Sequence, residues 1–253
     1  AIKDDQAGQT GGEDWKLYGG HRLWHSPEEE PRTYVPDNDP IEVVEKEDGF
    51  KLVQPTEEWT QIKKEIEITV NPSDSQVEIV HRLTNEGAWP VELAPWAITV
   101  LDSGGAAILP LPRGDPEAFL PNRSIALWPY SKMSDRRLEL GDVFVYVRQD
   151  TEADGPFKVG ANVEEEWVAY VNDGHAFFKQ FFYEEDGEYP DRGCTAESYT
   201  DDFMLELETL GPLQEINTDE SIEHEEIWNL FEIEKAEIGE SKEKIYDEIK
   251  DKI

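Results

Sequence analysis

The chain has a single cysteine, Cys194, in 253 residues, so it can hold neither an internal disulfide nor a multi-cysteine zinc site. It contains no run of about 18 apolar residues, so no segment reads as a membrane-spanning helix. Cations are scarce: 23 Lys and Arg stand against 58 Asp and Glu, for a formal net charge of -35. Such a field repels nucleic acid and anionic membranes and excludes both as partners. No glycine-rich loop follows a strand and opens a helix, so nucleotide binding has no support and no cofactor is expected.

What is present builds a core. Hydrophobic residues make up 38% of the chain, with eight Trp, nine Tyr and ten Phe. That stock separates it from disordered acidic chains. The acids are spread along the whole length, as in a solvated, halophilic-like coat whose self-repulsion salt would screen. The sequence starts at Ala1, the kind of small residue that a cleaved secretory signal leaves. This tips the expected location toward secreted or cell-surface rather than cytoplasmic.

The segment Gly19–Pro40, GGHRLWHSPEEEPRTYVPDNDP, gathers His21, Arg22, Trp24, His25, Arg32, Tyr34 and the run Asp37-Asn38-Asp39 among two Gly and four Pro. Gly and Pro at that density oppose a long helix or a central strand, so a long functional loop is expected. His21 and His25 have the spacing of helical zinc ligands, but the helix is doubtful and no Glu lies between them. Asp37-Asn38-Asp39 lacks the Gly and Glu of a hand-type calcium loop. No metal site is assigned.

Beyond Pro40, short alternating runs separated by Gly, Pro, Asn and Asp predict an all-β, antiparallel sandwich. The expected strands are 41–45, 50–54, 62–70, 77–83, 97–101, 106–109, 124–128, 143–148, 167–171, 176–183, 203–210 and 221–230. The tail differs. Ile245, Ile249 and Ile253 recur at the helical period amid mixed charges, predicting a short C-terminal helix from about Ser241. The division is a β-sandwich domain over 1–231 and a helical tail over 232–253.

Within strand 203–210, Glu206 and Glu208 fall on one face, about 7 Å apart, opposite Phe203, Leu205 and Leu207. Carboxylates so placed can hold sugar hydroxyls or perform acid–base work. His81 and His224 share parity with apolar neighbours and read as core histidines. His175 follows Asp173-Gly174 at a turn and is a candidate to face a site. Trp24, Trp89, Trp96 and Trp128 adjoin loop segments, where indoles suit stacking on a sugar.

Taken together, GGHRLWHSPE (19–28), PRTYVPDNDP (31–40), HRLTNEGAWPVELAPWAITVL (81–101), LPNRSIALWPYSKMSD (120–135), GPFKVGAN (155–162) and LELETLGPL (205–213) resemble a family of uncharacterised bacterial and archaeal proteins related in fold to the galactose mutarotases, or aldose 1-epimerases. The resemblance implies a large β-supersandwich with a sugar-sized groove on a concave face. Glu208-Thr209 looks like the mutarotase Glu-Thr that supplies the catalytic base, and GGHRLW like the loop that nominates His21 and Arg22. The mutarotases' acid histidine, in an Asn-His pair, is not matched: Pro95-Trp96 stands there. Members of the family also begin with several more strands than this chain shows, which implies an unpaired sheet edge open to a protein partner or to self-assembly.

The resulting expectation is a carbohydrate-binding protein, not a competent mutarotase. Glu206, Glu208, His21, Arg22, Trp24, Trp96 and His175 would meet the sugar. The alternatives are a sugar-modifying enzyme (epimerase, lyase or hydrolase) using Glu208, or a structural component of an extracellular or cell-surface assembly. The acidic coat makes a direct prediction: the unfolding midpoint should rise between low salt and molar KCl, as followed by circular dichroism. A flat or falling midpoint would refute it.

Overall fold

The computed structural model describes residues 19–37, 39–71, 73 and 75–233. The lead-in 1–18, Asn38 and the helix expected from Ser241 lie outside these residues.

Two antiparallel sheets carry the fold. The smaller has the order β1(Gly20–Ser26), β6(Val91–Leu101), β15(Leu205–Leu210), β14(Ala196–Thr200), β11(Phe157–Ala161), β8(Ile125–Leu127), with β16(Gln214–Ile216) also pairing β6. The larger has the order β2(Glu42–Lys46), β3(Gly49–Val53), β4(Ile62–Asn71), β5(Gln76–Asn85), β17(Ser221–Glu232), β13(His175–Phe181), β12(Trp167–Asn172), β7(Ala106–Pro110), β10(Phe144–Arg148), β9(Leu138–Leu140). The one helical element among the described residues is the short turn Pro190–Gly193. No helix among them is long and apolar enough to cross a membrane.

Alternation along the strands decides which side chains meet. Leu205 and Leu207 of β15, Val159 of β11 and Ala196 of β14 pack against Leu109, Val145, Val168 and Phe181 of the larger sheet, forming the core between the sheets. Leu23 of β1 extends this layer toward Ile62, Leu83, Leu93 and Ile222. The opposite face of the larger sheet bears a second buried apolar cluster that includes Ile108, Tyr146, Trp167 and Phe178.

The expected strands are present, with shifted ends. The segment expected as a loop from Gly19 is corrected: Gly20–Ser26 is strand β1, paired in register with Ala94–Val100 of β6. Gly19 and Gly20, both at positive φ, turn the chain into it, and no proline falls inside it. Among the described residues β1 is an edge strand, where glycine at the entry costs little. Strands β11 and β14 were not expected: the inward alternation of Phe157, Val159 and Ala161 in the first is only five residues long, and Ala196, Ser198 and Thr200 line the inward face of the second, so it has no apolar alternation. Pro95 is tolerated inside β6 because it sits where the partner changes from β15 to β16.

Two turns show why particular residues are required. Asp173 and Gly174, at φ 46° and 78°, connect β12 to β13 in the left-handed conformation that a two-residue hairpin needs. Gly105 packs against β12 so closely that a Cβ would lie 2.3 Å from the Tyr170 ring and 2.6 Å from the Val171 carbonyl oxygen. Because that obstacle includes backbone, Gly105→Ala should destabilise the protein by about 1–3 kcal/mol. Urea denaturation would show this as a lower midpoint with an unchanged slope.

Candidate functional site

Successive residues of β15 point to opposite sides of the smaller sheet. With Leu205 and Leu207 in the core, Glu206 and Glu208 face outward, and register fixes what surrounds them. Glu208 lies opposite Ile98 of β6 and Glu197 of β14; Glu206 lies opposite Val100 and Tyr199. Lys158 of β11 is opposite Tyr199, and Arg22 of β1 is opposite Ile98. All of these side chains share the outer face.

Their polar atoms form two linked groups. Arg22 Nη2 donates to Glu206 Oε1 at 2.6 Å, with its guanidinium 4.8 Å from the Trp24 ring centroid. Lys158 Nζ lies 2.7 Å from Glu197 Oε2 and 2.9 Å from Glu208 Oε2, and Trp96 Nε1 donates to the same Glu208 oxygen at 2.7 Å. The ammonium also sits 4.5 Å and 4.6 Å from the ring centroids of Trp96 and Trp128, within cation–π range. Glu197, Glu208 and Lys158 are buried, yet Glu208 Oε1 has no hydrogen-bond partner among the protein atoms. Trp24, Trp96, Ile98 and Leu210, with Tyr34 beside them, form the apolar part of this face.

One ammonium serves two buried carboxyl groups. Burial, joined by the charge of Glu208, pushes the Glu197 carboxyl well above the usual range, despite the opposing pull of Lys158. Burial likewise raises Glu206, against the pull of Arg22. Burial works against the Lys158 charge, but the two glutamates outweigh it and hold the ammonium protonated. The face thus sets Glu208 beside a second carboxyl, Glu197, whose proton is held more tightly than usual.

The structure brings together Glu206, Glu208, Arg22, Trp24 and Trp96 from the expected set. His21 is corrected. One residue from Arg22 on β1, it points inward, with Nδ1 3.0 Å from Thr99 Oγ1 and Nε2 2.6 Å from His81 Nε2. His175 is not near this group either; it lies exposed at the β12–β13 hairpin of the other sheet, with Nδ1 against the Asp173 carbonyl. Lys158, Glu197 and Trp128 complete the site. Trp128 was singled out by its loop position, whereas Lys158 and Glu197 lie on two short strands that were not expected, β11 and β14.

Beneath this face lies a second polar layer, within the sandwich. Lys179 of β13 and Glu226 of β17 form a wholly buried pair at 2.9 Å. Around Glu226 stand Trp228 Nε1, which donates to Oε2 at 2.8 Å, and the Thr209 hydroxyl, which donates to Oε1. His224 Nε2 lies 2.8 Å from that hydroxyl and serves as its donor. His81 and His224 are thus core histidines, as expected, with hydrogen bonds made. His25 Nε2 lies 3.5 Å from Glu57 Oε2, and Glu57 also pairs with Lys64 at 2.6 Å.

The raised pKa of Glu197 has a consequence for stability. Its contribution is complete below the unfolded value of about 4.5 and is lost as pH rises through the folded value. Glu197→Gln mimics the protonated form. The stability of the natural chain relative to this variant should therefore fall as pH rises above about 4.5. Paired urea titrations between pH 4 and 9 would measure it; a constant difference would show that folding does not raise the Glu197 pKa.

No protein-family profile matches the sequence, and no curated protein matches it. Solved structures do. A candidate aldose 1-epimerase from Escherichia coli K12 is 11% identical and superposes over 88% of this chain and 80% of its own, with a TM-score of 0.54. A candidate aldose 1-epimerase from Klebsiella pneumoniae is 10% identical over 86% of this chain and 64% of its own, with a TM-score of 0.53. A TPR-domain containing protein from Parabacteroides distasonis is 9% identical over 89% of this chain and 42% of its own, with a TM-score of 0.54. At such identities the likeness is one of fold, and the fold is the galactose mutarotase-like β-sandwich.

Proposed function

We propose that the outer face of the smaller sheet binds a neutral carbohydrate. The observation that carries this reading is Glu208: a buried carboxylate with one oxygen bound by Lys158 and Trp96 and the other, Oε1, without a partner. A buried acceptor left open is costly unless a donor arrives, and a sugar hydroxyl is such a donor. Tryptophan rings beside it supply stacking surface for the apolar face of a pyranose. The fold's solved counterparts with aldose 1-epimerase names support the choice of ligand class. Arg22 and Lys158 are matched by Glu206 and Glu208, so neither cation of this face is left over for an acidic sugar within a chain of net charge -35.

Binding without mutarotation is favoured by Trp96. It occupies the position where the resemblance calls for the acid histidine, and its indole N–H engages the carboxylate that would serve as base. A second reading, a sugar-modifying enzyme, draws on Glu197. A carboxyl whose proton is held more tightly than usual, directly opposite a second carboxyl, is the kind of pairing that acid–base chemistry uses.

Proton NMR on a panel of aldoses, uronic acids and short oligosaccharides separates the two. Saturation transfer should appear with neutral sugars and not with uronates, without faster anomer exchange. Glu208→Gln should weaken affinity about 10–100-fold, the effect of losing a charge-assisted hydrogen bond. Accelerated exchange abolished by both Glu208→Gln and Glu197→Gln would establish the enzyme instead. Absence of saturation transfer from every sugar would overturn both.

A further inference from the structure

Inside the sandwich, three ligating atoms from strands of both sheets converge. His81 Nδ1 lies 2.8 Å from the His224 carbonyl oxygen, which can only accept, so His81 carries its proton there and Nε2 holds a lone pair. That lone pair faces His21 Nε2 at 2.6 Å. Glu226 Oε1 is engaged by Lys179 and Thr209; Oε2 accepts from Trp228 alone and lies 3.9 Å from His21 Nε2. His21 Nδ1 meets the Thr99 hydroxyl, which can donate or accept, so His21 can present Nε2 either as N–H or as a lone pair. The three ligating atoms lie within 4.8 Å of one another.

We propose that His21, His81 and Glu226 form a binding site for a divalent transition-metal ion of the zinc class. Two imidazole nitrogens and one carboxylate oxygen suit Zn²⁺, Co²⁺, Ni²⁺ or Fe²⁺, whereas Ca²⁺ and Mg²⁺ take oxygen sets. The His81 ring already has the supporting contact of a metal-bound histidine, an Nδ1–H donated to a backbone carbonyl. When the ion binds, the His21 proton moves from Nε2 to Nδ1, and the Thr99 hydroxyl turns from donor to acceptor. The two Nε2 atoms, 2.6 Å apart, must open to about 3.3 Å to share an ion at bonds of about 2.0–2.1 Å. His21 permits this: it sits on an edge strand and its side chain is 12% exposed, which also gives the ion a way in. Three protein ligands leave a fourth position open. His25, four residues along β1, lies against Glu57, while His21 finds its partner, His81, across the sandwich.

Cobalt is the probe. Tag-free protein, stripped with chelator, would be titrated with Co²⁺ in excess Mg²⁺, which occupies the acidic surface. Visible absorption bands should grow and saturate at one ion per chain, and Zn²⁺ should bleach them. His21→Gln should weaken Co²⁺ binding at least 100-fold while the circular dichroism spectrum stays unchanged, and Glu226→Gln should do the same. If the buried Glu226 variant fails to fold, the variant at His21, on the edge strand, decides. His25→Gln should bind as the natural chain does. No saturating band, or a band that persists in His21→Gln, would overturn the proposal and leave surface carboxylates as the only cation sites.

Discussion

Lys179 and Glu226 form an ion pair with no exposure at all, in the middle of a β-sandwich. Taking two such charges out of water costs several kcal/mol each, and their mutual attraction offsets that only if the remaining donors and acceptors are also met. The surroundings meet most of them. Thr209, Trp228 and the Leu207 carbonyl each contact one member of the pair, and His224 continues the chain of hydrogen bonds through Thr209. The pair and its partners come from two neighbouring strands of the larger sheet, β13 and β17, and from β15 of the smaller. The pair therefore fixes how the two sheets sit against each other more specifically than apolar packing around it can.

The outer face is built on the same strands and by the same logic. Glu208 is adjacent in sequence to Thr209, and Arg22 to His21. In each case one residue faces the open side of the smaller sheet and the next faces the interior. Lys158 plays outside the role that Lys179 plays inside, a buried ammonium shared among acceptors. The difference is in completeness. Within the sandwich the Glu226 oxygens are both engaged, whereas outside one oxygen of Glu208 is left open, and that vacancy in the hydrogen bonding separates a binding surface from a structural brace.

Much of this was legible in the sequence. Alternation placed most strands and put Glu206 and Glu208 on one face, because apolar residues at every second position mark a sheet with one side buried. The same rule, applied one residue at a time, explains the errors. His21 and Arg22 were read as one loop, whose residues can point the same way; once the segment is a strand, they cannot. Lys158 escaped notice because the inward rhythm of its strand, Phe157, Val159 and Ala161, is only three residues long; Glu197 did because its strand buries alanine, serine and threonine on the inward side, which leaves no hydrophobic rhythm to follow. His175 carried only a turn signal, and a turn fixes local shape without saying which sheet it serves.

The alternation on β1 and β15 also bears on how such a chain can drift. Each strand writes two messages at once, one for each side of the smaller sheet, interleaved residue by residue. A deletion of one residue in either would exchange the messages, sending a histidine outward and an arginine into the core. Substitution position by position, and length change in the connecting segments, carry no such penalty. Substitution under that restriction preserves the reading frame of the pleat while letting the letters change, and so one fold can be written in sequences as unlike as 11% identity.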